Sequence, residues 1–105
     1  MEQSEKLDVI IAELESWVEL LDKAQKEYVI NIKNYNEKKS RLWLETDFAE
    51  VLEKGRPTVD EKKAYVTSQT LTEKTDRDNA YYNIQYIKSQ IDVCYAKLEI
   101  LSRDV

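Results

Sequence analysis

Gly55 and Pro57 are the only glycine and the only proline in 105 residues, and they stand two positions apart. Average usage would supply roughly 7 glycines and 5 prolines in a chain of this length. Tight hairpins, glycine-rich phosphate loops and runs of short elements all consume these residues. Their scarcity therefore argues against sheets and against phosphate-binding loops. Their clustering argues for one main chain reversal between two uninterrupted stretches.

Both stretches carry helical patterning. In the first, Leu7, Leu14, Leu21, Tyr28, Tyr35 and Leu42 recur at heptad steps, flanked by Ile10, Ile11, Trp17, Val18 and Ile32. This is helix periodicity, predicting a helix over about 5–44. The four-residue companions Ile11, Val18 and Ile32 outlast the three-residue ones, so the stripe should drift along a nearly straight helix. In the second stretch, Ala80, Ile84, Ile87, Ile91, Cys94, Leu98 and Leu101 form a four-three seam. That predicts a helix over about 59–102, with Cys94 as a small buried apolar residue. Thr67, Thr70, Thr72 and Thr75 weaken its early part, so a helix of low local stability, or a kink, is expected within 67–79.

Residues 45–58 form the connection. Phe48, Val51 and Leu52 suggest a short helix started by Thr46 or Asp47, with Gly55 as a left-handed C′ residue. Pro57 blocks continuation. Thr58-Val59-Asp60-Glu61 then reads as a capping box. Antiparallel alignment about the Gly55–Thr58 turn would set residue i opposite about 113 − i. Leu42 would face Leu71, Tyr28 Ile84, Leu21 Ile91 and Leu14 Leu98.

The fold expected is a single all-α domain over 1–105, an elongated, coiled-coil-like antiparallel helical hairpin. A helix of this size runs about 60 Å at 1.5 Å per residue. A two-helix rod buries one seam only. Tyr81, Tyr82, Tyr86, Tyr95, Val93 and Ile100 lie off that seam, which suggests self-association into a bundle or a foreign partner.

Composition excludes several chemistries. There is no histidine and one cysteine, so neither a common zinc site nor a histidine-based triad can form within one chain. No nucleophile elbow, phosphate loop or metal-ligand spacing occurs. A thin rod offers little concave space. No catalytic residue and no cofactor is expected, and the chain reads as a non-enzyme. No apolar run approaches the roughly 18–20 residues of a membrane span. The N-terminus lacks the layout of a signal peptide, and an unpaired cysteine suits a reducing compartment. A cytoplasmic protein with no membrane contact is expected.

The net charge of −5 is uneven. Residues 1–22 carry seven acids against Lys6, whereas 23–41 carry six bases against Glu27 and Glu37. Glu5, Asp8, Glu15, Glu19 and Asp22 form an acidic stripe, read here as a solvated outer face or a surface for a basic partner. Lys33, Lys38, Lys39, Arg41 and Trp43 make a basic-aromatic patch, whose cations could neutralise phosphates while the ring stacks on unpaired bases. Helix packing and the helix dipole would account for the same residues. Tyr81, Tyr82 and Tyr86, together with Trp43 and Phe48, are candidate protein-contact residues, tyrosine and tryptophan being enriched at interfaces.

The segment from Leu42-Trp43-Leu44-Glu45-Thr46-Asp47-Phe48 through Gly55-Arg56-Pro57-Thr58-Val59-Asp60-Glu61 to Tyr65-Val66 resembles small helical accessory proteins of phages and prophages of Gram-positive bacteria. Such proteins are often encoded near replication and recombination genes. The resemblance covers about 25 residues and implies a small phage accessory protein of no defined activity. The function expected is protein–protein contact: a modulator or inhibitor of a host protein, or an assembly element, with itself and a host or phage protein as partners. The alternative is a single-stranded nucleic-acid-binding factor in phage replication or recombination.

Overall fold

The computed structural model describes residues 2–103 and is all-α, with no strand among them. Helix α1 spans Glu2–Glu45, α2 Phe48–Val51, α3 Val59–Gln69 and α4 Leu71–Arg103. Two of these are long, α1 with 44 residues and α4 with 33. No glycine or proline interrupts either one, and each has an apolar stripe to bury. No helix among the described residues is long and apolar enough to cross a membrane.

Packing divides the chain into two compact units. The terminal unit holds residues up to Glu27 and from Ala80 onward. Its interior is Ala24, Ala80, Ile84, Ile87 and Cys94. Cys94 is fully buried, as its place in the seam predicts. Here the two helix segments pair antiparallel: the Gln3 amide donates to the Leu101 carbonyl at 3.2 Å, Lys97 meets Glu13 at 3.5 Å, and Trp17 packs edge-on against Tyr86 at 5.9 Å.

The connection unit holds Tyr28–Asn79. Its interior is Phe48, Val66 and Thr70. Antiparallel pairing is again evident, with Lys38 on Glu73 at 2.7 Å and Arg77 stacked over the Tyr35 ring at 4.5 Å.

Three expectations need correction. The expected stripe is only partly what α1 buries. Ile10, Leu14, Trp17, Leu21, Ala24, Tyr28, Ile32, Tyr35 and Leu42 are among its shielded positions. In the first half the companions of the heptad row are the three-residue ones, Ile10, Trp17 and Ala24. Ile11 and Val18 stay exposed, at 37% and 50%. Second, the register holds only in part. Lys38 on Glu73, Tyr35 under Arg77 and Glu13 on Lys97 lie within three positions of 113 − i. Trp17 would face residue 96, yet it packs on Tyr86, and Gln3 bonds to Leu101. Leu71 is 55% exposed instead of covered by Leu42.

Third, Gly55 is not the left-handed residue. Glu53 is, with φ 53°, and no glycine has positive φ. Helix α2 ends at Val51 with Leu52 as C-cap, so C′ falls on Glu53. The Lys54 amide donates to the Ala49 carbonyl at 3.0 Å and the Glu53 amide to that of Glu50 at 3.2 Å, the bond pair of a Schellman motif. The kink expected within 67–79 falls on one residue. Helix α3 ends at Gln69, Thr70 leaves helical geometry at φ −112° and ψ 12°, and α4 starts at Leu71. The buried Thr70 hydroxyl donates to the Val66 carbonyl at 2.8 Å. A threonine side chain bonding back to the preceding turn in this way bends helices.

The capping signals are present. Asp47 caps α2, its carboxylate accepting from the Glu50 amide. Thr58 caps α3 through the full box: its hydroxyl accepts from the Glu61 amide at 3.1 Å, and Glu61 accepts from the Thr58 amide at 3.3 Å.

Candidate functional site

The outer face of α4 in the terminal unit carries most of the chemistry a partner could use. The α4 seam turns Ala80, Ile84, Ile87 and Cys94 inward. Helical geometry then turns Tyr82, Tyr86, Val93 and Ile100 outward. They are 67%, 56%, 44% and 59% exposed. Tyr81 lies beside them, its ring meeting that of Tyr82 at 5.8 Å in T-shaped geometry. Tyr86 is anchored at one edge by Trp17. Large rings held in place and open to water give contact area at small entropic cost.

Trp43 and Phe48 are placed differently. Phe48 is buried, with Trp43 at 5.6 Å on one side and Tyr65 edge-on at 6.0 Å on the other. Lys62 covers the Phe48 ring at 5.6 Å. Phe48 is thus spent on the interior of the connection unit and offers no contact surface. Trp43 is half-buried against it. This aromatic group explains how a four-residue helix holds its place.

The basic patch is threaded with acids. Lys33 lies 3.9 Å from Glu37, and Lys38 lies 2.7 Å from Glu73. Lys39 sits over the Tyr35 ring at 5.7 Å, the ring that Arg77 also meets. Arg41 lines an open groove of about 430 Å³ together with Asn34, Glu37, Lys38, Glu73 and Asp76. Three carboxylates in that groove face two cations, so it has little to attract a phosphate chain. The Lys38 ammonium, donating to Glu73, holds that carboxyl below its usual range. Glu73 Oε2 is shielded and has no partner. Glu73 and Asp76 were not singled out from the sequence. The helix pairing carried the signal, because an antiparallel partner of 33–41 must come from the seventies.

A second, apolar groove of about 310 Å³ lies in the terminal unit, lined by Val9, Ile10, Ile100 and Leu101 with Lys6 and Lys97 at its rim. The stripe Glu5, Asp8, Glu15, Glu19 and Asp22 is exposed throughout. Among the described residues no group of three or more His, Cys, Asp or Glu could hold a metal ion. Compared with protein-family models, with curated proteins and with solved structures, the chain finds no match.

Proposed function

We propose that the protein is a non-enzymatic accessory protein of phage type that acts through protein–protein contacts, modulating a host protein or assisting an assembly. The observation that carries this reading is the exposed aromatic face of α4, where Tyr82 and Tyr86 stand in water beside Val93 and Ile100. Contiguous exposed apolar surface of this kind marks interaction sites. The resemblance of residues 42–66 supplies the phage context, and a host cytoplasm is where such a protein would work.

Nucleic-acid binding through Lys33, Lys38, Lys39, Arg41 and Trp43 is the weaker reading. Glu37, Glu73 and Asp76 share the groove with Lys38 and Arg41, and the whole chain carries −5. Like charge opposes association with phosphates.

The test is affinity capture from a Gram-positive host lysate with the parent chain and with Tyr82→Ala/Tyr86→Ala. A prey protein retained by the parent and lost from the double variant, at unchanged helical circular dichroism, supports the proposal. Nucleic acid as the only retained species, insensitive to the tyrosines, overturns it.

A further inference from the structure

The outer face of α4 carries a second heptad row that the buried seam does not use. Tyr82, Tyr86, Ser89, Val93, Ala96 and Ile100 follow one another at steps of four, three, four, three and four. At 100° per residue they fall within an arc of about 80°, roughly opposite the buried seam. All six are exposed. None is charged, in a chain where 35% of residues are. The same walk along α1 from Val9 meets Glu13, Lys23 and Glu27, so the uncharged row is a property of α4. A four-three row of uncharged residues is what one helix presents to another in a coiled coil.

We infer that this row is the seat of a second copy of the same chain, docked with the two α4 helices antiparallel. The row is complementary to itself in that direction. With the two-fold axis beside Ile91, Tyr86 lies on Ala96 of the second copy, Ser89 on its Val93 and Tyr82 on its Ile100. The bulky ring at one position meets the small methyl at the other, which is the alternation a packed seam requires. A parallel pair would stack Tyr86 on Tyr86 and leave a gap between two copies of Ala96.

The size of the row also suits a second copy. From Tyr82 to Ile100 it runs about 27 Å. Two tyrosines, an isoleucine and a valine at their present exposures, with the flanks, put on the order of 600 Å² per partner out of water. That is near the lower edge of stable association, so dissociation in the micromolar range is expected. The inference rests on reading α4's outer face as a contact surface, and it names the occupant.

Multi-angle light scattering at about 100 μM should return twice the 12.4 kDa of one chain. Val93→Glu/Ala96→Glu should leave the helical circular dichroism unchanged, both sites being exposed, while raising the dissociation constant about a hundredfold or more. For the direction, a Ser89→Cys chain mixed with a Val93→Cys chain and oxidised should give the mixed disulfide. Fully buried Cys94 should not compete. A single-chain mass at 100 μM overturns the inference, as does a dimer indifferent to Val93→Glu/Ala96→Glu or cross-linking only between like positions. A single-chain mass together with a prey lost on Tyr82→Ala/Tyr86→Ala removes the second copy and leaves the proposed function standing. A dimer through this row with no tyrosine-dependent prey does the reverse.

Discussion

Glu53 and Gly55 occupy each other's best positions. Glu53 sits at φ 53°, a conformation that costs an L-residue with a Cβ on the order of 1 kcal/mol and costs glycine little. Gly55 has no positive φ, and a Cβ built there meets nothing within 4 Å. Glu53→Gly should therefore raise the urea midpoint by the equivalent of about 1 kcal/mol. Gly55→Ala should be neutral or gain up to about 1 kcal/mol by restricting the unfolded chain. A lower midpoint for Glu53→Gly would mean that the Schellman turn is set elsewhere. Two carboxylates add a pH dependence. Lys54, then the Thr58 amide, hold Glu61 below its ordinary value of 4.5, and Lys38 does the same for Glu73. A carboxyl with a depressed folded-state pKa contributes stability above its unfolded value and loses it as pH falls through the folded one. The thermal midpoint should thus fall as the pH drops below about 4.5 and through the depressed folded-state values. Glu61→Gln/Glu73→Gln should flatten that fall without steepening the profile near pH 7.

At the level of elements, the caps and the seams do different work. The Thr58 box satisfies amide donors at the start of α3. Thr58→Ala should cost about 1 kcal/mol in urea unfolding while leaving the helical spectrum intact. Ile87 is 4% exposed in the terminal unit, so Ile87→Asp buries an unpaired charge and should abolish the cooperative thermal transition. A parent-like midpoint for Ile87→Asp would displace the α4 seam. These elements were legible in the sequence because each rests on local information: capping residues at fixed offsets, and period. What the sequence hid was non-local. Heptad arithmetic allowed two companion rows on α1. The choice of Trp17 and Ala24 over Ile11 and Val18 was made by packing against α4. The register was right within three positions at Tyr35, Lys38 and Glu13 and wrong at Gln3 and Trp17, because turn residues mark where the chain bends and leave the packing of each pair open. Phe48 read as a surface aromatic because nothing local says that Trp43, Tyr65 and Lys62 enclose it. The tyrosine face was legible for the opposite reason: exclusion from one period placed it outside.

Charge is where the molecule as a whole decides between functions. A chain of net −5 can bind a polyanion only through a local patch that outweighs the total. Residues 23–41 supply such a patch in sequence, but folding returns Glu73 and Asp76 to it from α4. The surplus of cations that the linear sequence advertises is thereby spent inside the protein. Two consequences can be measured. The parent chain should show no detectable binding to a single-stranded oligonucleotide at about 50 mM salt, where counterion release is most favourable. Glu37→Gln/Glu73→Gln removes two of the three groove carboxylates, moves the net charge from −5 to −3, and frees Lys33 and Lys38 from their ion pairs. That variant should acquire binding that weakens steeply with salt, at a logarithmic slope of roughly −0.7 per phosphate contact. Parent binding that Lys38→Glu/Lys39→Glu abolishes would show instead that the carboxylates leave the patch functional, and the nucleic-acid reading would then displace protein contact as the role of this chain.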